Sequence, residues 1–95
     1  MNAKSTKEVL IAAKWIIKNI GWSHYGGRSI DKNGKKIYCT LIAITNVEAT
    51  FDLKYEAQNI LRGIVKDQLS TWNDNPNRTK QDVIDLFNKG IKLAI

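Results

Sequence analysis

The 95-residue chain carries 43% apolar and 25% charged residues, too apolar for a disordered polymer and ordinary for a globular protein. One compact domain over residues 1–95 is the expectation, with a modest core that buries about 60–65% of the unfolded chain's surface. Its net charge of +6 lies entirely in the first half, and its one cysteine, Cys39, excludes an internal disulfide and a zinc site built from thiolates.

Residues 1–47 hold eight basic side chains (Lys4, Lys7, Lys14, Lys18, Arg28, Lys32, Lys35 and Lys36) against Glu8 and Asp31, whereas residues 48–95 hold seven of each sign. Such a one-sided positive field favours anionic partners. Ser5 and Glu8 have the spacing of a capping box and open a first helix over about Thr6–Ile20, which Gly21 should end in a left-handed conformation. Val9, Leu10, Ala12, Ala13, Ile16, Ile17 and Ile20 share its core face. On the opposite arc Lys4, Lys7, Lys14 and Lys18 enclose Ile11, with Trp15 one turn further on, a surface suited to nucleic acid, to a protein partner or to a homodimer contact. Lys14 and Lys18 also break the apolar run below the length of a membrane span, and a cytoplasmic protein without targeting is expected.

The segment WSHYGG from Trp22 to Gly27 reads as a loop. Arg28–Ile30 and Lys36–Cys39 read as two short strands joined at Asn33-Gly34, the strongest hairpin signal in the chain. Thr40–Val47 fits a buried strand or a short buried helix, and the helix is preferred. Asp52 is placed to cap a long helix over about Leu53–Leu69, in which Gly63 suggests a close crossing. Trp72–Thr79, WNDNPNRT, is the densest stretch: Asn73, Asp74, Asn75 and Pro76 are turn formers, Trp72 can anchor the turn, and Asp74 can pair with Arg78. Thr79 and Asp82 then open a last helix over about Lys80–Leu93. The fold class so read is mainly α with a small β-hairpin after the first helix, three to four helices sharing one core.

The residues Gly21-Trp22, Cys39, Ala43, Trp72-Asn73-Asp74, Pro76, Arg78-Thr79 and Asp82-Val83 resemble a small domain family of unknown function found in bacteria, notably actinobacteria, and in phages. The likeness spans nearly the whole chain, its most specific part being the WND to Arg-Thr segment. Ile42 departs from it where a glycine is usual, and His24-Tyr25 replace a Gln-Gly type loop. The resemblance implies a compact cytosolic domain, a phage or mobile-element origin, and an anti-defence role by binding.

An enzyme is not expected. Cys39 and His24 could serve as nucleophile and base, but no third group is in place to orient them, and no metal-ligand spacing or cofactor motif is present. The reading is a non-enzymatic binding protein for an anionic partner, either a nucleotide signal or a host protein. A nucleotide would use Trp22, Tyr25 or Trp72 as a stacking wall, Arg28 or Arg78 for phosphate, and Asn73 or Asp74 for a base edge or ribose. The alternatives are a nucleic-acid module using the lysines of the first helix, and a structural or oligomerising protein.

Overall fold

A computed structural model describes residues 2–24, 34 and 38–94. Among these residues there are five helices, where three to four were expected: α1 (Thr6–Asn19), α2 (Thr40–Thr45), α3 (Phe51–Val65), α4 (Leu69–Asn73) and α5 (Lys80–Leu93). No helix among the described residues is long and apolar enough to cross a membrane.

Each long helix starts where a side-chain oxygen caps it. Ser5 Oγ accepts the Glu8 N–H at 3.2 Å, while Glu8 Oε1 reaches back to the N–H of Lys4 at 3.4 Å, so orphan donors of the first turn find partners. At α5 the exchange between Thr79 and Asp82 is a full capping box. For α3 the cap is Thr50, whose hydroxyl accepts the Leu53 N–H, and not Asp52, which lies inside the helix. α3 ends at Lys66, a non-glycine residue in the left-handed region with φ 58°.

The core follows the helical period. Val9, Leu10, Ala13 and Ile17 of α1, Ala43 and Ile44 of α2, Ala57 and Leu61 of α3, and Val83, Leu86 and Phe87 of α5 are buried in one cluster. Full burial of each large side chain stabilises the fold by about 1.5–3 kcal/mol. α1 packs on α2, α3 and α5, and α3 packs on α5. Gly90 marks the tightest crossing: a Cβ there would sit 2.6 Å from Leu61 Cδ2 and 3.4 Å from Leu10 Cδ1. Gly63, where the sequence suggested a close crossing, has nothing within 4 Å of a Cβ position.

The expected β-hairpin is overturned, since no strand exists among the described residues. Residues 28–33 and 35–37 of that hairpin lie outside the described set. Where the chain is described again, Tyr38 bonds a segment other than a hairpin partner: its N–H donates to Gly21 O and its carbonyl accepts from the Ser23 N–H, both at 3.1 Å, forming an isolated parallel bridge between Trp22 and Tyr38. Cys39 likewise lies in no strand; it is the N-cap of α2. Two further expectations change. Gly21 follows α1 with φ 156°, away from the left-handed helical region, and the start of WNDNPNRT is helical, as the end of α4.

Candidate functional site

Two regions were candidates, the WNDNPNRT segment and the exposed face of α1. Their side chains have opposite fates.

In the first, Asn73 is 0% exposed and all its polar capacity is used within the fold. Its Oδ1 accepts from the Trp22 indole N–H at 2.8 Å, from the Thr40 N–H at 2.9 Å and from the Thr40 hydroxyl at 2.6 Å. Its Nδ2 donates to the carbonyls of Ser23 at 2.9 Å and His24 at 2.8 Å, and to Asp74 Oδ1 at 3.2 Å. One amide therefore ties the segment after α1, the start of α2 and the end of α4 together. Burial of an asparagine at the centre of a fold is tolerated because donors and acceptors are satisfied. Nothing in that set of bonds leaves a group for a ligand.

Its neighbours are arranged around it. Trp22 stacks obliquely on His24, ring centroids 4.6 Å apart. His24 Nε2 lies 2.7 Å from the Arg78 carbonyl, and since a carbonyl only accepts, that nitrogen carries the proton. Arg78 does not reach across to Asp74. Its guanidinium carbon sits 3.8 Å from the centroid of the Trp72 ring, and its Nε donates to Trp72 O at 2.9 Å. Beside this pair a groove of about 330 Å³ runs between α3 and α5, its polar lining consisting of Arg78, Lys89, Asp82 and Asp85. With two carboxylates beside its two cations, the groove offers a phosphate no net positive charge. Of the other expected ligand residues, Tyr25 and Arg28 lie outside the described set.

Cys39 is buried, 2% exposed, and its Sγ accepts the Ile42 N–H at 3.3 Å. Burial pushes its thiol pKa up, which disfavours the thiolate needed for nucleophilic attack. No group of three or more His, Cys, Asp or Glu side chains suited to a metal ion occurs among the described residues.

On α1 the polar and apolar groups remain outward. Lys4, Lys7 and Lys18 are exposed and Lys14 is partly exposed. Ile11 is 47% and Trp15 58% exposed, a level at which large apolar side chains give up much of their burial free energy. They border a groove of about 570 Å³ that continues over Ala12, Ile16 and Val47. The Ala3 N–H, bonded to Glu48 O at 2.8 Å, holds the start of the chain against the α2–α3 connection and closes one end of that groove. Lys80 adds a further cation at the far end of α1, where its Nζ donates to Lys18 O at 3.1 Å.

Sequence reasoning grouped Lys4, Lys7, Ile11, Lys14, Trp15 and Lys18 as one surface; Ile11 and Trp15 line the groove, and the four lysines are exposed or partly exposed outside its lining. It missed Ala12, assigned to the core, and Val47, which comes from the connection between α2 and α3. The signal for Ala12 was available: Glu8, Ile11, Ala12 and Trp15 stand at i, i+3, i+4 and i+7, the four corners of one patch of helix surface.

The chain belongs to a family of unknown function, DUF6197, whose model matches residues 1–93. No curated protein matches it, and no solved structure does.

Proposed function

We propose that this member of DUF6197 is a non-enzymatic binding module for an anionic partner, and that its working surface is the exposed face of α1. The observation that carries this reading is the exposure of Ile11 and Trp15, over a groove of about 570 Å³, on the helix that carries four lysines. The groove itself is lined by Glu8 and Glu48, so an anionic partner would meet the exposed lysines of α1 outside the groove while its apolar groups meet Ile11 and Trp15. The polar groups of WNDNPNRT support the scaffold instead, since Asn73 is fully bonded and Arg78 is stacked on Trp72. Blocking a host immune factor, as a phage or mobile-element protein would, is a role such a surface serves.

A second reading, nucleic acid gripped by the lysines, is favoured by Lys80, which brings a fifth ammonium beside Lys18. The test is thermal unfolding at low and high salt with nucleotides, short DNA and RNA, and polyglutamate, on the wild type, on Lys14→Glu with Lys18→Glu, and on Trp72→Ala. A ligand at about 100 times its Kd adds roughly 2.7 kcal/mol, a readily visible shift. The proposal expects the shift from anionic polymers to vanish in the lysine variant. A shift from a mononucleotide that survives salt and is lost only in Trp72→Ala would move the function to the Trp72 groove. The absence of any shift would remove the anionic partner.

A further inference from the structure

We infer that the face of α1 carrying Ile11, Ala12 and Trp15 is covered by the same face of a second copy of this chain, the two α1 helices running antiparallel about a two-fold axis. The face holds both halves of such a joint. Glu8, Ile11, Ala12 and Trp15, at i, i+3, i+4 and i+7, frame a hole of the kind that a side chain of a neighbouring helix enters, and all four line the groove of about 570 Å³. Ala12 is its floor. Trp15, 58% exposed, is itself a projecting side chain that nothing among the described residues covers. A two-fold contact requires this self-complementarity, because each residue of the patch must suit its symmetry mate.

An axis that crosses α1 midway between Ala12 and Trp15 sets Trp15 against Ala12 of the second copy, Ile11 against Ile16, and Glu8 against Asn19; all of these but Asn19 line the groove. The largest side chain of the patch thus faces the smallest, and apolar faces apolar. Glu8 is the one carboxylate of α1. At each end of the seam it meets the exposed Asn19 amide, which keeps an N–H beyond the one donated to Trp15 O, and the exposed ammonium of Lys18 one residue before it. Lys7 and Lys14 stand about 110–130° round the helix from the centre of the seam and stay outside it.

The antiparallel sense follows from the rest of the groove. The Ala3 N–H, bonded to Glu48 O, holds residues 46–48 against the start of the chain, so an antiparallel pair carries these two connections at opposite ends. A parallel pair would crowd both at one end and set Glu8 against Glu8. An acidic peptide or a nucleic acid would bring further negative charge to Glu8 and Glu48, the charged residues of the lining. What opposes the dimer is the meeting of two chains of net charge +6, with both rows of lysines on one side of the seam, a repulsion that salt screens. The inference goes beyond the anionic-partner reading: a second copy takes the place of any apolar contact that such a partner makes with Ile11 and Trp15, and leaves the lysines open to it.

The experiment is sedimentation equilibrium of the full chain over a wide range of protein concentration, at salt of about 0.1 M and about 1 M, between which the screening length falls from about 10 Å to about 3 Å. Proton–nitrogen NMR on the same dilution series reads the three tryptophan indoles separately. The expected result is a monomer–dimer equilibrium that tightens with salt, in which dilution moves the Trp15 indole signal and leaves that of Trp22 in place. Trp15→Ala should weaken association at least about tenfold at unchanged Tm. Glu8→Lys and Lys18→Glu should each weaken it by about threefold or more, and the two together should restore it, since the exchanged charges still face each other across the seam. Lys18→Glu is the sharper of the two, because it lowers the net charge and would strengthen a dimer built in any register that leaves Lys18 outside the contact. A chain that stays monomeric at every concentration, a dimer indifferent to Trp15→Ala, one that salt dissolves, or one that Lys18→Glu strengthens would overturn the inference. Binding of anionic polymers to the lysines can persist in each of those cases, so the two readings fail separately.

Discussion

The strongest structural test is Asn73→Asp, which alters one atom of the amide that joins three segments. At Oδ1 nothing need change: the indole of Trp22 and the N–H and hydroxyl of Thr40 still find an acceptor. At the other position an oxygen replaces a donor and faces the carbonyls of Ser23 and His24 and the Asp74 carboxylate. Two partly buried carbonyls each lose the Asn73 donor, at about 1–3 kcal/mol each, and a charge enters a site with 0% exposure. A total loss of about 3–5 kcal/mol is expected at pH 7, against about 5–14 kcal/mol for a domain of this size. Burial and the Asp74 charge raise the pKa of the introduced carboxyl in the folded state above its unfolded value of about 3.9. A raised folded pKa means that the protonated form, which can donate to a carbonyl, is favoured by folding. Its stabilisation is therefore present below about pH 4 and lost as pH rises through the folded pKa. Urea unfolding followed by circular dichroism at several pH values measures this, with a midpoint shift of about 2–3 M at pH 7 for an m-value near 1.5 kcal/mol/M. A variant within about 1 kcal/mol of wild type at pH 7 would refute the assignment, because an acidic side chain cannot replace the amide in that set of bonds.

The remaining expectations are smaller. Gly63→Ala should raise stability by about 0.5–1 kcal/mol, since the position is exposed within α3 and open to a methyl group. Gly90→Ala should lower it by about 1–3 kcal/mol in the same urea series, because Leu61, on which the new methyl would press, is itself fully buried. Lys66→Gly should stabilise by about 1 kcal/mol by relieving a left-handed residue at the end of α3, and an unchanged midpoint would place the strain elsewhere. Cys39 should react with a thiol reagent only as the protein opens, so its labelling rate should rise with urea in step with unfolding and be slow without it.

The parts of the fold legible in the sequence are those whose cause is local. α1 and α5 announced themselves by a capping residue followed by a helical apolar period, and the short α2 by an apolar run too brief to distinguish from a strand except by its neighbours. The hairpin failed for the complementary reason. Asn33-Gly34 is a local turn signal, and Gly34 does take φ 80°, yet the backbone of Tyr38 finds its partners in Gly21 and Ser23. A turn dipeptide specifies a reversal of the chain and not the ladder that follows. Asn73 misled in the same way, because asparagine between tryptophan and aspartate reads as turn chemistry, while its true partners, Thr40 and Trp22, lie 33 and 51 residues away.

This contrast bears on where function sits. A polar residue whose partners are distant in sequence and whose bonds are all made internally fixes the relative placement of segments, and the sequence alone cannot separate it from a binding residue. A surface encoded within one helix has no such ambiguity, because residues at i, i+3, i+4 and i+7 must share a patch once the helix forms. Only its cover remained open. The structure leaves Ile11 and Trp15 uncovered among the described residues, although Phe51 and Tyr55 show that exposed apolar side chains occur elsewhere too, 77% and 51% exposed and stacked on each other at 6.1 Å. What separates the α1 pair is the groove that Ile11 and Trp15 line together with Ala12, Ile16 and Val47. Phe51 and Tyr55 line none of the grooves described above and partly shield one another, so a loss of binding in Trp15→Ala with Phe51→Ala unaffected is the outcome that the α1 surface requires.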